Sequence, residues 1–226
     1  MAPANAAVVA LSGGQDSTTC LAWTRRRFAR VYTIAFDYGQ RHRVELDAAA
    51  RVAGVAGVVE HRVLPVASLA ALGGNALTGA GAVDGAADPA SGLPPTFVPG
   101  RNLLFLTLAA AWAYQLDVTE LVTGVCQTDY SGYPDCRAST MEALQQSLRT
   151  GMERPFTIHT PLMHLTKAAS VRLAVELDAL PLLSWSHTCY AGAVPPCGIC
   201  PACRLRARGF AEAGVVDPLL VRLGVG

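Results

Sequence analysis

Short unbroken apolar runs alternate along this chain with longer stretches that read as helices. Ala6-Ala7-Val8-Val9-Ala10-Leu11 is the first run, a buried strand by its length and composition. Thr18 to Phe28 follows as a helix. Val31-Tyr32-Thr33-Ile34-Ala35-Phe36 is a second β-rich run, Arg43 to Ala53 a helix closed by Gly54, and Val58 to Leu64 a third strand. Strand, helix, strand, helix, strand predicts a parallel sheet with helices on both faces, a doubly wound α/β architecture of Rossmann-like type. Ligands of such sheets bind beyond the carboxyl ends of the strands.

Gly73 to Pro99 breaks the alternation. It is dense in Gly, Ala, Pro and Asp, has no helical or strand period, and is expected to be a mobile flap. Gly100-Arg101-Asn102 opens a strongly apolar helix to about Leu116, Leu121 to Val125 is a fourth strand, Ala138 to Thr150 a helix, and Phe156 to Leu162 extended. Thr166 caps a helix over Lys167 to Leu177. The organisation expected is a catalytic domain over 1–183, with the flap at 73–99, and a metal-binding helical module over 184–226.

Composition narrows the class. At 226 residues, 51% hydrophobic and 15% charged, the chain suits a folded domain with a sizeable core. No run reaches about 18 uncharged apolar residues, so no membrane span is expected. The amino-terminal stretch lacks the basic region and cleavage site of a signal peptide, which points to a cytoplasmic address. Net charge is +1, and no basic cluster exceeds Arg25-Arg26-Arg27, which reads as a solvated helix face. A long nucleic acid needs several phosphate-neutralising cations on one face, so none is expected as a partner.

Three polar segments stand at predicted strand ends. The first, Ser12-Gly13-Gly14-Gln15-Asp16-Ser17, joins a buried strand to a helix, where backbone N–H groups form a concave anion site. Gly13 and Gly14 permit positive φ and close approach, Ser12 and Ser17 add hydroxyl donors, and Asp16 offers a carboxylate for Mg²⁺ or for holding the loop. No Gly-Lys-Ser/Thr follows at Walker A spacing. The second, Asp37 to His42, brings Tyr38, Gln40 and His42. The third, Cys126 to Arg137, carries Asp129, Tyr130, Tyr133 and Asp135; tyrosines can sandwich a planar ring, and the carboxylates can take an amidine-like N–H edge.

Two cations stand out. Of 18 Lys+Arg residues a single one is lysine, Lys167, placed in the first turn of a helix. Arg101 also begins a helix. A cation at a helix N-terminus is unfavourable unless an anion sits beside it, which points to a phosphate partner for Lys167 and, for Arg101, to a phosphate or carboxylate ligand or a surface ion pair.

Of seven cysteines, four crowd into Cys189-x₇-Cys197-x₂-Cys200-x₂-Cys203, with Pro195, Pro196 and Pro201 stiffening the turns. An odd total with one dense cluster reads as metal binding rather than a disulfide framework. Four thiolates close a tetrahedral structural zinc site; an iron–sulfur cluster uses the same ligands. Arg204, Arg206 and Arg208 would offset the negative charge of the centre. Cys20, Cys126 and Cys136 read as small buried hydrophobes.

Ser-Gly-Gly-x-Asp-Ser resembles the pyrophosphate loop of the PP-loop ATPases, of the adenine nucleotide alpha hydrolase type. These cleave ATP between the α- and β-phosphates to adenylate an oxygen. Within that group the chain resembles the 7-cyano-7-deazaguanine synthases over nearly its whole length. The motifs are Ser-Gly-Gly-Gln-Asp-Ser-Thr-Thr-Cys at 12–20, Phe-Asp-Tyr-Gly-Gln-Arg-His at 36–42, Val-Pro-Gly-Arg-Asn at 98–102, Thr-Asp-Tyr-Ser-Gly-Tyr-Pro-Asp-Cys-Arg at 128–137 and Leu-Thr-Lys at 165–167. The four-cysteine cluster completes the set.

The resemblance implies ATP- and Mg²⁺-dependent conversion of 7-carboxy-7-deazaguanine and ammonia to the nitrile. Leu11, Ser12, Gly13, Gly14, Gln15, Asp16, Ser17 and Thr18 would cradle ATP, with Asp16 near Mg²⁺. Asp16, Lys167 and Arg101 would be catalytic, and Tyr38, Gln40, Asp129, Tyr130 and Asp135 would bind substrate. Zn²⁺ on Cys189, Cys197, Cys200 and Cys203, and a homodimer, are also implied. Competing readings are a PP-loop enzyme that adenylates another carboxylate, a tRNA thiolase using Cys126 and Cys136 as sulfur carriers or an iron–sulfur cluster at Cys189, Cys197, Cys200 and Cys203, and a non-enzymatic zinc-knuckle binding module.

Overall fold

The structure, a computed structural model, describes residues 5–79, 83, 85, 87–128 and 132–225. Five strands form one all-parallel sheet: β1 Ala6–Ala10, β2 Arg30–Asp37, β3 Glu60–Pro65, β4 Glu120–Val122 and β5 Thr157–His159. The helices are α1 Gln15–Arg25, α2 Val44–Ala56, α3 Ala67–Ala71, α4 Arg101–Gln115, α5 Ala138–Met152, α6 Lys167–Glu176, α7 Leu180–Leu183, α8 Pro201–Ala213 and α9 Pro218–Leu223. Strand order is β3-β2-β1-β4-β5. The chain therefore winds outward from β1 in both directions, and the order reverses between β1 and β4. Crossovers on either side of that point leave the sheet in opposite directions, opening a crevice at the carboxyl ends.

The unbroken apolar runs have a direct cause. On β1, Ala6 and Val8 enter one core, while Ala7 and Val9 enter the other. The first core packs the sheet against α4 and α5 through Leu106, Ala110, Met141 and Leu148. The second packs it against α1, α2, α6 and α7 through Leu21, Val52, Val171 and Leu183. A strand covered on both faces has no solvent side, so apolar residues follow one another without alternation.

Several boundaries differ from the sequence expectation. Helix α1 begins at Gln15, so Gln15, Asp16 and Ser17 form its first turn and the glycine turn is shorter than expected. Helix α2 runs past Gly54 and closes at Gly57, whose φ of 63° lets its N–H reach the carbonyls of Ala53 and Gly54. Strand β4 ends at Val122 rather than Val125. Past it, a Cβ on Gly124 would stand 2.9 Å from the Ser17 nitrogen, so the chain has to leave the sheet to pass over the start of α1. β5 is likewise confined to Thr157–His159.

The described residues of 73–99 form neither helix nor strand, as expected. Their base is nonetheless anchored. Ala76 and Leu77 are buried, the Ala76 N–H donates to the Pro95 carbonyl at 2.8 Å, and the Arg41 N–H donates to the Leu77 carbonyl at 2.9 Å.

The carboxyl-terminal segment is tied down by a buried ion pair. The Arg206 guanidinium on α8 donates to both Asp217 oxygens at 2.6 and 2.8 Å, with both side chains under a tenth exposed. It also donates to Ser186 Oγ at 2.8 Å and Thr188 Oγ1 at 3.1 Å. Asp217 in turn caps α9 through the Leu219 N–H at 2.9 Å. Removing one partner of such a pair strands the other charge in the interior. Asp217→Asn should therefore lower unfolding free energy by about 3–5 kcal/mol, read as a lower urea midpoint at unchanged slope.

Candidate active site

β1 delivers the glycine turn to the crevice. Leu11 is still held by the sheet, its N–H donating to the Ile34 carbonyl at 2.8 Å. Gly13 then turns with φ 85°, and a Cβ there would lie 2.3 Å from the Glu45 carbonyl oxygen and 2.6 Å from the Ala49 nitrogen. Only glycine fits between the turn and α2. From the other side, the His187 N–H donates to the Gly13 carbonyl at 2.8 Å.

Gly14 is the N-cap of α1, and no side chain caps that helix. Ser12 Oγ and Ser17 Oγ lie 3.1 Å apart, and Ser12 Oγ accepts from the Gly14 N–H at 3.3 Å. Thr18 Oγ1 donates back to the Gly14 carbonyl at 2.8 Å. The first turn thus presents hydroxyls and the positive end of the helix dipole to the crevice, the arrangement that binds oxyanions.

The two singled-out cations reach the same crevice. Lys167, 7% exposed, donates to Asp16 Oδ1 at 2.7 Å and Oδ2 at 2.6 Å. Asp16 thereby supplies an anion for a cation that sits at the start of α6, the position the sequence expectation assigned to a ligand. Arg101, at the start of α4, lies 5.9 Å from the Tyr38 ring centroid and donates to its hydroxyl at 3.5 Å. Asp135 fills the anionic role at that helix N-terminus, its Oδ2 accepting from the Asn102 N–H at 3.1 Å.

A cavity of ≈ 290 Å³ connects these groups. The anion loop, Asp16 and Lys167 line one end; Tyr38, Arg101, Phe105, Tyr133 and Tyr190 line the other. Burial pushes the Tyr38 hydroxyl up to about 12 and the Tyr190 hydroxyl up as well, so both phenols stay protonated donors at neutral pH. Tyr133 is held by a 2.6 Å hydrogen bond between its hydroxyl and Thr96 Oγ1. The base of the 73–99 segment therefore reaches the cavity wall.

Of the residues expected to bind substrate, Tyr38 lines the cavity. Gln40 is spent on its own loop: Oε1 accepts from the Tyr38 N–H at 2.9 Å, and Nε2 donates to the Phe36 carbonyl at 3.1 Å and Glu45 Oε1 at 3.3 Å. It shapes the turn that presents Tyr38. Asp135 is 4% exposed and engaged with α4. Asp129 and Tyr130 lie outside the described residues.

The cavity also holds groups that sequence reasoning missed. Tyr190 and His187 come from the stretch around the first clustered cysteine, where the cysteines dominated the pattern. Phe105 was hidden in an apolar helix, whereas Tyr133, one of the tyrosines expected to flank a planar ring, does line the cavity. The amide of Gln15, Nδ1 of His42 and Nε2 of His187 are buried without partners, although their residues line the cavity. Buried polar atoms are ordinarily paired with protein, ordered water or ligand, so these atoms are available to whatever occupies the cavity.

The sulfurs of Cys189, Cys197, Cys200 and Cys203 lie within 4.8 Å of one another, a set that fits one four-coordinate metal ion. Backbone N–H groups of Cys197, Cys200 and Cys203 point at the sulfurs of Cys189, Cys197 and Cys200, at 3.5, 3.4 and 3.5 Å. Hydrogen bonding from Cys203 holds the Cys200 thiol below its ordinary value, and the Cys203 thiol rises in response. The arginines do not play the expected part as a group. Arg206 is committed to Asp217, and Arg208 faces Glu212 at 3.8 Å on an exposed surface. Of the remaining cysteines, Cys20 is fully buried, while Cys126 and Cys136 are buried in the cavity wall.

Arg26 pairs with Asp178, and Arg27 stacks on the Trp23 ring at 4.1 Å, a surface arrangement as expected. Among the described residues, no helix is long and apolar enough to cross a membrane.

The family model described as "Queuosine biosynthesis protein QueC" matches residues 6–214. The 7-cyano-7-deazaguanine synthase of Laribacter hongkongensis is 61% identical over 218 residues, covering 96% of this chain and 95% of that protein. That of Chromobacterium violaceum is 60% identical over 220 residues, covering 96% and 93%. Among solved structures, a 4-thiouridine synthetase–RNA complex with bound ATP matches 98% of this chain and 53% of its own, with a TM-score of 0.51 and 15% identity. At that identity the likeness is one of fold.

Gly13→Ala should force the turn away from α2 and destabilise the protein by about 1–3 kcal/mol, seen as a lower urea midpoint. The alanine variant of Gly54, which has no atom within 4 Å of its would-be Cβ, should not be destabilised.

Proposed function

The chain belongs to the queuosine biosynthesis protein QueC family, and we propose that it catalyses the reaction its relatives are named for, the synthesis of 7-cyano-7-deazaguanine. On this reading 7-carboxy-7-deazaguanine and ammonia are joined at the expense of ATP. The observation that carries the proposal is a single crevice holding the uncapped α1 N-terminus, the Asp16–Lys167 pair and an aromatic end with Arg101.

The carboxylate is a poor electrophile because its oxygens are poor leaving groups. Attack of one carboxylate oxygen on the α-phosphorus forms the acyl-adenylate and expels pyrophosphate. Ammonia then adds at the carbonyl carbon, AMP leaves, and loss of a proton gives the amide. A second adenylation, on the amide oxygen, followed by loss of AMP and the N–H protons, gives the nitrile. No oxidation state changes that would need an electron carrier.

The protein's part is alignment and charge stabilisation. The loop from Leu11 to Thr18 supports the phosphates, with Ser12, Ser17 and the α1 N–H groups as donors. Asp16 would hold Mg²⁺, whose chemistry is to neutralise the pyrophosphate as it departs. Lys167 stands beside Asp16 as a positive charge for the same oxygens. Arg101 serves the carboxylate end of the substrate, and Tyr38, Phe105, Tyr133 and Tyr190 form walls for the planar base. Asp129 and Tyr130 remain proposed contacts to the base; Gln40 and Asp135 act by shaping the walls.

Zinc is the metal we assign to the four cysteines. Sulfurs within 4.8 Å suit one ion's coordination shell, whereas a four-iron cluster spreads its thiolates over separate irons. A homodimer and a cytoplasmic setting complete the reading.

The sulfur-carrier form of the tRNA thiolase alternative needs nucleophilic cavity thiols, and its iron–sulfur form needs a cluster where the close-set sulfurs suit a single ion. Burial, with the Asp135 carboxylate adding to it, pushes Cys136 up to about 12, far from a reactive thiolate. A net charge of +1 also gives RNA little to hold.

The test is mass spectrometry of products from purified protein, 7-carboxy-7-deazaguanine, ammonium, ATP and Mg²⁺. Nitrile with AMP and pyrophosphate is expected. Amide without nitrile would point to an amidating enzyme, and no turnover by folded, metal-loaded protein to another carboxylate. Lys167→Ala should lower turnover by about 10²–10³-fold, the loss typical of a removed charge-stabilising donor, with metal content unchanged. Cys200→Ala should lose the metal by elemental analysis and melt at lower temperature; a stable, metal-free, active variant would refute a structural role.

A further inference from the structure

We infer that Gly209, in the middle of α8, is a positioning residue for the Lys167 ammonium. The inference rests on the reading that Lys167 acts in adenylation. Lys167 starts α6, yet its ammonium must reach Asp16 on α1, and its side chain gets there by running across the face of α8. A Cβ on Gly209 would stand 2.5 Å from Lys167 Cγ, 3.1 Å from its Cβ and 3.3 Å from its carbonyl carbon. Carbon atoms in good contact sit about 3.5–4.0 Å apart. The atoms in conflict are the root of the lysine and its backbone rather than a flexible tip. A methyl group there must change the lysine's first rotamer or drive the two helices apart.

The second response is blocked by what holds α8. One turn before Gly209, Arg206 is locked by its buried bonds to Asp217 and Ser186. Immediately after it, Phe210 is 2% exposed in the core shared with α1 and α6. At its start the helix is capped by the Cys200 sulfur, which accepts from the Cys203 N–H. With α8 fixed at three points, the lysine yields first and its ammonium leaves the Asp16 carboxylate. A glycine inside a helix is less favourable than alanine, so its presence at a buried packing position calls for such a reason. Gly209 supplies the groove in which the lysine lies.

The experiment is a double-mutant cycle on the full-length, metal-loaded enzyme with Gly209→Ala, Lys167→Ala and the double variant. Gly209→Ala is expected to lower kcat by about 10–100-fold, as for a misplacement near 1 Å, while KM for ATP and metal content stay near wild type. The double variant should be no slower than Lys167→Ala alone, because both changes remove the same ammonium. It should also melt above Gly209→Ala, because Lys167→Ala deletes the Cγ that the new methyl meets. This stability arm holds even if Gly209→Ala is too unstable to assay. Unchanged kcat in Gly209→Ala, additive losses, or no recovery of melting temperature would each overturn the inference. If Lys167→Ala itself turns over normally, the role given to the lysine fails instead.

Discussion

The Asp16–Lys167 ion pair spans the point at which the sheet reverses its order, and the rest of the site is arranged about it. Helices α1 and α6 both direct their amino ends into the crevice, and α6 begins with a cation. Parallel dipoles and an ammonium in one place repel, so the site needs a negative charge between them. Asp16 provides it, with both oxygens within 2.7 Å of the ammonium. Low exposure of the lysine strengthens the attraction relative to water. The same balance makes the site receptive, since an incoming polyphosphate brings further negative charge to two helix ends and a lysine already in place.

Holding that arrangement is the work of the carboxyl-terminal segment as much as of the sheet. The backbone at His187 fixes the Gly13 turn. Gly192 passes so close to the strand-end loop that its Cβ would meet His42 Cα at 3.2 Å. Tyr190, one residue after a clustered cysteine, faces the His42 ring with centroids 5.8 Å apart. Helix α8 carries the last cysteine at one end and meets Lys167 farther along. A metal on the four thiols would thus fix the start of a helix whose middle borders the lysine. The Arg206–Asp217 pair pins the same helix between its last cysteine and Gly209.

The cavity has an end rich in N–H and hydroxyl groups and an aromatic end, and the difference follows from local backbone. At the first, tight turns and helix starts expose N–H groups; at the second, strand ends and α4 present ring faces, such as Phe36 and Phe105 stacked 4.2 Å apart. Partnerless amide and imidazole atoms belong to three of the lining residues, Gln15, His42 and His187. A ligand that satisfied them would gain more than it could from atoms already paired, because leaving buried polar groups unmade is expensive.

The sequence by itself determined the parallel α/β fold, the anion loop, the cysteine set and the family. Each of these is local: unbroken apolar runs, a glycine turn between strand and helix, or ligands a few residues apart. It also marked Lys167 and Arg101 as cations at helix starts, though it assigned the anion beside Lys167 to a ligand and left that beside Arg101 open between a ligand and an ion pair. Only the tertiary structure gave Asp16 to Lys167, Asp135 to the start of α4, and Asp217 to Arg206. It alone drew Gln40 into its own loop and brought Tyr190, His187 and Gly209 to the site. These depend on residues up to 174 positions apart meeting in space, as His187 and Gly13 do. A residue's type says what it can bind, but its partner is chosen by packing, and packing is settled by how the helices close over the sheet.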